Sequence, residues 1–140
     1  PGQPHYGITA VYAPENSREA VFQALYHRRT YGTSGAKMIL DFTLDGAPMG
    51  TVAKVATAPE AKVHVIGTDT LAWVELLGWR PGQEQFAVLQ QWTPDGEAFD
   101  GAIQVEGHTA GAVYYVRVKQ KNTIRGRGVY AWSSPVWTVE

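Results

Sequence analysis

Arg28-Arg29-Thr30-Tyr31-Gly32-Thr33-Ser34-Gly35 divides this chain into two kinds of periodicity. Before it, Ala20, Val21, Ala24 and Leu25 recur at helical spacing from Ser17 to about Arg28, predicting one buried stripe. Asn16 is placed to cap that helix, with Glu19 three residues on completing a capping box. Arg28 and Arg29 fall in the last turn, where cations suit the helix dipole, and Gly32 and Gly35 end it. After it, Met38, Leu40, Phe42 and Leu44 alternate with Lys37, Ile39, Asp41 and Thr43, the period of a half-buried strand closed by Asp45-Gly46.

Further out, nearly everything reads as strand. A short β-prone run, Ile8 to Ala13, precedes the helix and stops at Pro14. Val63 and Val65 alternate with Lys62 and His64. Trp73 to Trp79 ends at Arg80-Pro81-Gly82, and Phe86 to Trp92 ends at Thr93-Pro94-Asp95-Gly96. Tyr114, Val116 and Val118 oppose Val113, Tyr115 and Arg117 in the clearest strand. A last strand runs from about Val129 to Val139, with Pro135 marking an edge or a bulge. Strands punctuated by turns at such intervals predict an antiparallel β-sandwich, preceded by a short strand and one α-helix, α+β overall but mainly β. The boundary near residue 35 divides the chain into 1–35, a strand and helix, and 36–140, the sandwich.

Composition narrows the function. At 140 residues, with 44% hydrophobic and 18% charged residues, the chain fits one globular unit. A formal net charge of −1 with scattered cations gives no basic stripe for nucleic acid. Arg125 and Arg127 form a small cluster suited to a hairpin loop. Without cysteine there is no thiolate chemistry, disulfide or Cys-based zinc site, and the compartment stays open. No run approaches the roughly 20 apolar residues of a membrane span, so no membrane partner is expected. The chain opens Pro1-Gly2-Gln3-Pro4, with no basic and apolar leader and no initiator Met. A cut within a longer protein is the expectation.

No complete chemistry can be assembled from the remaining residues. His5, His27, His64 and His108 share no chelating spacing, and surface or hydrogen-bonded roles suit them; His5, near the start, is the exception that could face a site. Thr33-Ser34-Gly35 follows a helix, whereas phosphate loops precede one. Asp45 and Asp95 each precede Gly in turns that Asp favours, so the carboxylates give no catalytic pair. Five Trp and seven Tyr fit either a sandwich core or a platform for sugar rings. The odd spacing of Trp132 and Trp137 puts one of them outward unless a bulge intervenes. Arg28, Arg29 and Tyr31 form the candidate ligand-binding group, two guanidinium groups beside a phenol that could hold a phosphate or carboxylate.

These same residues carry a family resemblance. Ile8 to Ala13, Arg18-Glu19-Ala20, Ala24-Leu25, Arg28 to Gly35, Ile39 to Phe42, Asp45-Gly46 and Pro48-Met49-Gly50 resemble the C-terminal part of the domain-of-unknown-function 3604 family. Tyr114 to Val118 and Ala131 to Trp137 continue the resemblance at the far end. That family is similar to PHP-type (polymerase and histidinol phosphatase) metal-dependent hydrolases. The resemblance implies a parent enzyme whose barrel binds divalent metal ions, with its last ligands in an Asp-x-His type motif upstream of Pro1-Gly2. This chain would then carry no catalytic residues, metal or other cofactor of its own. Residues 1–35 would be a barrel-edge remnant, and the partner would be the missing N-terminal barrel, with Arg28, Arg29 and Tyr31 at the rim of its site. The competing expectation is a stand-alone carbohydrate- or protein-binding sandwich. An exposed Val21–Leu25 stripe points to the first, and a covered helix beside an exposed Trp cluster to the second.

Overall fold

The computed structural model describes residues 7–140. His5 and the opening Pro1-Gly2 lie outside them. The described residues are mainly β, with two sheets and one short helix. The larger sheet contains β1 (Ile8–Val11), β2 (Thr30–Thr33), β5 (Val52–Lys54), β7 (Leu71–Trp79), β8 (Ala87–Trp92), β10 (Val113–Ile124), β11 (Arg127–Ser133) and β12 (Val136–Val139). The smaller runs β4 (Ala47–Pro48), β3 (Ile39–Leu44), β6 (Glu60–Ile66), β9 (Ala98–Gln104). Every described pairing is antiparallel except that of β12 with β5. Neither sheet closes into a barrel.

The predicted alternation is visible in β3 and β10. Leu40, Phe42, Leu44, Tyr114, Val116 and Val118 are buried, while the residues between them are exposed or half-buried. Residues of both sheets join one apolar core, in which Phe42, Val63 and Val65 meet Val74, Leu76 and Val116. Residue 35 falls between β2, in the larger sheet, and β3, in the smaller.

The last stretch departs from the expectation of one strand. It forms two strands, β11 and β12, separated by Ser134-Pro135 and both paired to β10. Proline cannot donate to a ladder, so pairing lapses there. The Ser133 hydroxyl oxygen fills the gap by accepting from Val116 N at 2.8 Å. The strands β2, β4, β5 and β9 add to those expected. The first three have two to four residues each, and β9 alternates in burial but carries Asp100 and Gly101 at its centre.

The helix α1 (Arg18–Tyr26) is shorter than predicted and capped differently. Ser17, not Asn16, is the N-cap, its hydroxyl accepting from Ala20 N at 3.2 Å. The helix also stops before Arg28 and Arg29, so neither lies in its last turn. Arg29 N donates to Ala24 O and Arg28 N to Leu25 O, with Arg28 left-handed at φ 55°. This is a Schellman ending in which Arg28 takes the place that glycine normally fills. Gly32, read as a helix stop, is instead a residue of β2. The expected buried stripe is reduced to Ala24; Val21 is half-buried and Leu25 is exposed. Among the described residues no helix is long and apolar enough to cross a membrane.

Candidate functional site

The hairpin of β1 and β2 binds the helix to the rest of the molecule. β2 pairs with β11, placing Tyr31 opposite Ser133 and Gly32 opposite Trp132. Two phenols then reach the smaller sheet. β3 is paired to β4 only at Thr43 and Leu44, so its earlier residues present an open edge with unsatisfied carbonyls. Tyr31 donates to Met38 O at 2.7 Å, and Tyr12 donates to Leu40 O at 3.0 Å. Met49 N donates to Phe42 O at 2.9 Å, completing the cover of that edge. The rings of Tyr12 and Tyr31 touch, with centroids 5.8 Å apart.

These surroundings suppress phenolate. Burial, then the Asp41 carboxylate and Tyr31, push the Tyr12 hydroxyl up to about 12. Burial likewise raises Tyr31. Neither phenol is available as an anion or base near neutral pH.

Arg28 is tied down from two directions. Its Nε donates to Gly50 O at 3.0 Å, and its guanidinium lies 5.2 Å from the centre of the Trp137 ring. Gly50, at φ 89°, packs so closely that a Cβ there would run into the Arg28 carbonyl. Gly50 N in turn donates to Pro135 O at 2.8 Å. Arg28, Pro48-Met49-Gly50 and Pro135 to Trp137 are far apart in sequence and meet here. The candidate trio does not share one cavity. Tyr31 points into the core, Arg28 points to Gly50 and Trp137, and Arg29 stands exposed.

Pairing register brings together a group that sequence reading left scattered. Asp41 on β3 faces His64 on β6, and His64 faces Asp100 on β9. His64 Nδ1 donates to Asp100 Oδ1 at 2.7 Å. The row lines a hollow of about 450 Å³ together with Thr43 and Lys62. Each residue lies on the outward parity of its strand, which a sequence can show. Their alignment depends on two registers spanning tens of residues, which it cannot. Among the described residues, no three His, Asp or Glu side chains are placed to hold a metal ion.

Of the other described histidines, one is hydrogen-bonded and one ends the helix. His108 Nδ1 and the Tyr114 hydroxyl are 2.8 Å apart, and burial, followed by Arg80, lowers the imidazole's proton affinity. His27 caps α1 and meets the Tyr26 ring edge-on. Asp45 keeps its turn role and does more, accepting from Ala56 N and Glu60 N at 2.7 Å each.

The solvent side of α1 is mixed, with exposed Arg18, Glu19 and Gln23 beside a cluster of large apolar side chains. Phe22 is 58% exposed, Leu25 50% and Tyr26 69%, and the Phe22 and Tyr26 rings stack on one another. Three large apolar side chains on nine helical residues are far more than a solvated helix face needs.

The class so defined is a mainly β region of two sheets carrying one helix with an exposed apolar cluster. Residues 4–58 match the family described as "Protein of unknown function (DUF3604)", a span that covers β1, α1 and β2 to β5. An uncharacterized protein of Chlamydia trachomatis serovar D (strain ATCC VR-885 / DSM 19411 / UW-3/Cx) is 31% identical across 94% of this chain. One from Chlamydia muridarum (strain MoPn / Nigg) is also 31% identical, and one from Chlamydia pneumoniae 30%, each across 94%. The chain spans 22% of the length of each of these relatives. No solved structure matches.

Proposed function

We propose that this chain is a non-catalytic C-terminal accessory region of a larger protein, and that α1 docks on the remainder of that protein. The observation that carries this reading is the exposed cluster of Phe22, Leu25 and Tyr26 on a helix that buries Ala24 and is followed by Arg28, which is tied to Gly50 O. The small share of each relative's length that the chain spans supports a larger parent. The two sheets, contributing to one core, are read as a sandwich, with residues 1–35 as the element that bridges it to the parent. A PHP-like barrel performing hydrolysis with a metal-activated water is the parent chemistry implied by the resemblance, on which alone it rests. In that setting the metal ligands lie in the parent.

The test is solubility and assembly. Leu25→Asp should leave the 140-residue chain folded, yet destabilise a longer protein carrying the same segment, read by thermal melting of both. An equal, negligible effect in both would remove the docking role.

A second reading, a carbohydrate-binding role, is favoured by one observation: Trp132 is 40% exposed and stacks on Tyr130. It requires no docking partner for α1.

A further inference from the structure

The outward face of the larger sheet carries rows of polar and aromatic side chains set by register. Gln91, Glu75, Arg117, Trp132 and Gly32 form one row across five strands, and Trp73, Lys119 and Tyr130 lie in the next. Most of these groups are already engaged. Arg117 donates to Glu75 through Nε at 2.9 Å and through Nη2, and Gln91 donates to the other Glu75 oxygen at 2.8 Å. Arg117 also lies 5.3 Å from the Trp73 ring centre, and Lys119 lies 5.5 Å from that of Tyr130.

The row ends differently at Trp132. Its cross-strand neighbour is Gly32, where an added Cβ would meet nothing within 4 Å, so no side chain covers the indole from that strand. Next to it lies a hollow of about 300 Å³, lined by Thr33, Ser34, Arg127, Gly128 and Trp132. The hydroxyls here are occupied. Ser34 accepts from Tyr130 N at 2.8 Å and donates to Gly128 O, while Thr33 donates to Ala36 O at 2.7 Å. Arg127 is exposed, and its guanidinium makes none of the described hydrogen bonds or ion pairs.

We infer that this hollow binds one acidic sugar ring, a hexuronate. The apolar face of the pyranose lies on Trp132 and its carboxylate is held by the Arg127 guanidinium, whose planar fork matches a carboxylate in two parallel hydrogen bonds. The volume suits a single ring more than a polymer. A nucleic acid is the poorer match. It needs a track of free cations with several stacking platforms, and here Arg117 is neutralised by Glu75 while Lys119 sits on Tyr130. The inference rests on the second reading of function and is independent of whether α1 docks.

The experiment titrates the 140-residue chain with glucuronate, galacturonate, glucose and uridine monophosphate, following Trp fluorescence and ligand-detected NMR. Saturable binding of a uronate is expected, with glucose weaker by about tenfold or more for want of the charge-assisted contact. Arg127→Gln should remove the preference for the uronate over glucose, and Trp132→Ala should abolish binding of both. Leu25→Asp should change neither, which separates this site from the docking of α1. Absence of saturable uronate binding, equal affinity for uronate and glucose, or tighter binding of the nucleotide would overturn the assignment.

Discussion

β2 and α1 lie a few residues apart, yet they are held in opposite ways. β2 is paired on both sides, buries Tyr31 and Thr33, and sends a phenol to an open strand edge. α1 buries Ala24 and leaves three large apolar side chains in water. The difference teaches that this segment is not a loosely attached tail. One part, β2, is integrated with the β body as tightly as any strand, and the other, α1, presents large apolar side chains to solvent. The hinge between them is Arg28, a left-handed non-glycine residue locked by Gly50 and Trp137. Holding such a conformation costs about 1 kcal/mol or more, so the surrounding contacts must over-determine it.

The lock is the place to break the comparison most severely. Gly50→Ala should destabilise the chain by roughly 3 kcal/mol or more, because the new methyl meets backbone and the residue already has positive φ. Gly46→Ala, at φ 78° but with nothing within 4 Å of the added methyl, should show only the conformational part, about 1 kcal/mol. Denaturant titration of the two variants measures the gap. If they lose equal stability, close packing of Arg28 on Gly50 is not what secures the hinge.

Tyr31→Phe comes next. It strips a buried carbonyl, Met38 O, of its donor and should cost about 1–3 kcal/mol in urea unfolding. Tyr12→Phe removes a more exposed bond to Leu40 O and should cost about 1 kcal/mol. Tyr12 also sets a pH dependence. Burial pushes its folded hydroxyl up to about 12 from the ordinary tyrosine value of 10.0, so the folded state favours the protonated phenol. That contribution is complete below pH 10 and is lost as pH rises through about 12. Tyr12→Phe should therefore flatten the fall in stability across that window, seen in melts taken at successive pH values. The smallest effect belongs to the helix. Phe22→Asp should shift the stability of the 140-residue chain by no more than about 0.5 kcal/mol, since its side chain is largely in water.

What the sequence revealed followed from local pattern. The alternation in Met38–Leu44 and Tyr114–Val118, and the helical spacing after Ser17, each reflect a residue's own neighbours, so strands and helix could be read directly. The helix ends could not. Asn16 and Ser17 are both good caps, and only the Ser17 hydroxyl reaches Ala20 N. An arginine in the glycine position of a Schellman ending hides the true stop at Tyr26. Periodicity across Ala20–Leu25 marks a stripe without saying whether a partner covers it, and here only Ala24 is buried. Pro135, expected at an edge or a bulge within one strand, instead separates two, and the Ser133 hydroxyl that bridges the gap and the pairing on both sides are tertiary facts. The Asp41–His64–Asp100 row and the approach of Arg28 to Gly50 likewise depend on long-range registers. The odd spacing of Trp132 and Trp137 does not set them on opposite faces, because the strand breaks between them at Ser134-Pro135 and both stand on the outward parity of the larger sheet.

The central claim is that the bare face of α1 is an interface within a larger protein. Amide hydrogen exchange of Arg18–Tyr26 tests it most directly, measured in the 140-residue chain and in a longer protein carrying the same segment. The account predicts that α1 exchanges faster than β2 in the isolated chain and becomes about tenfold or more better protected in the longer protein, with β2 unchanged. Equal exchange of α1 in both proteins would contradict it.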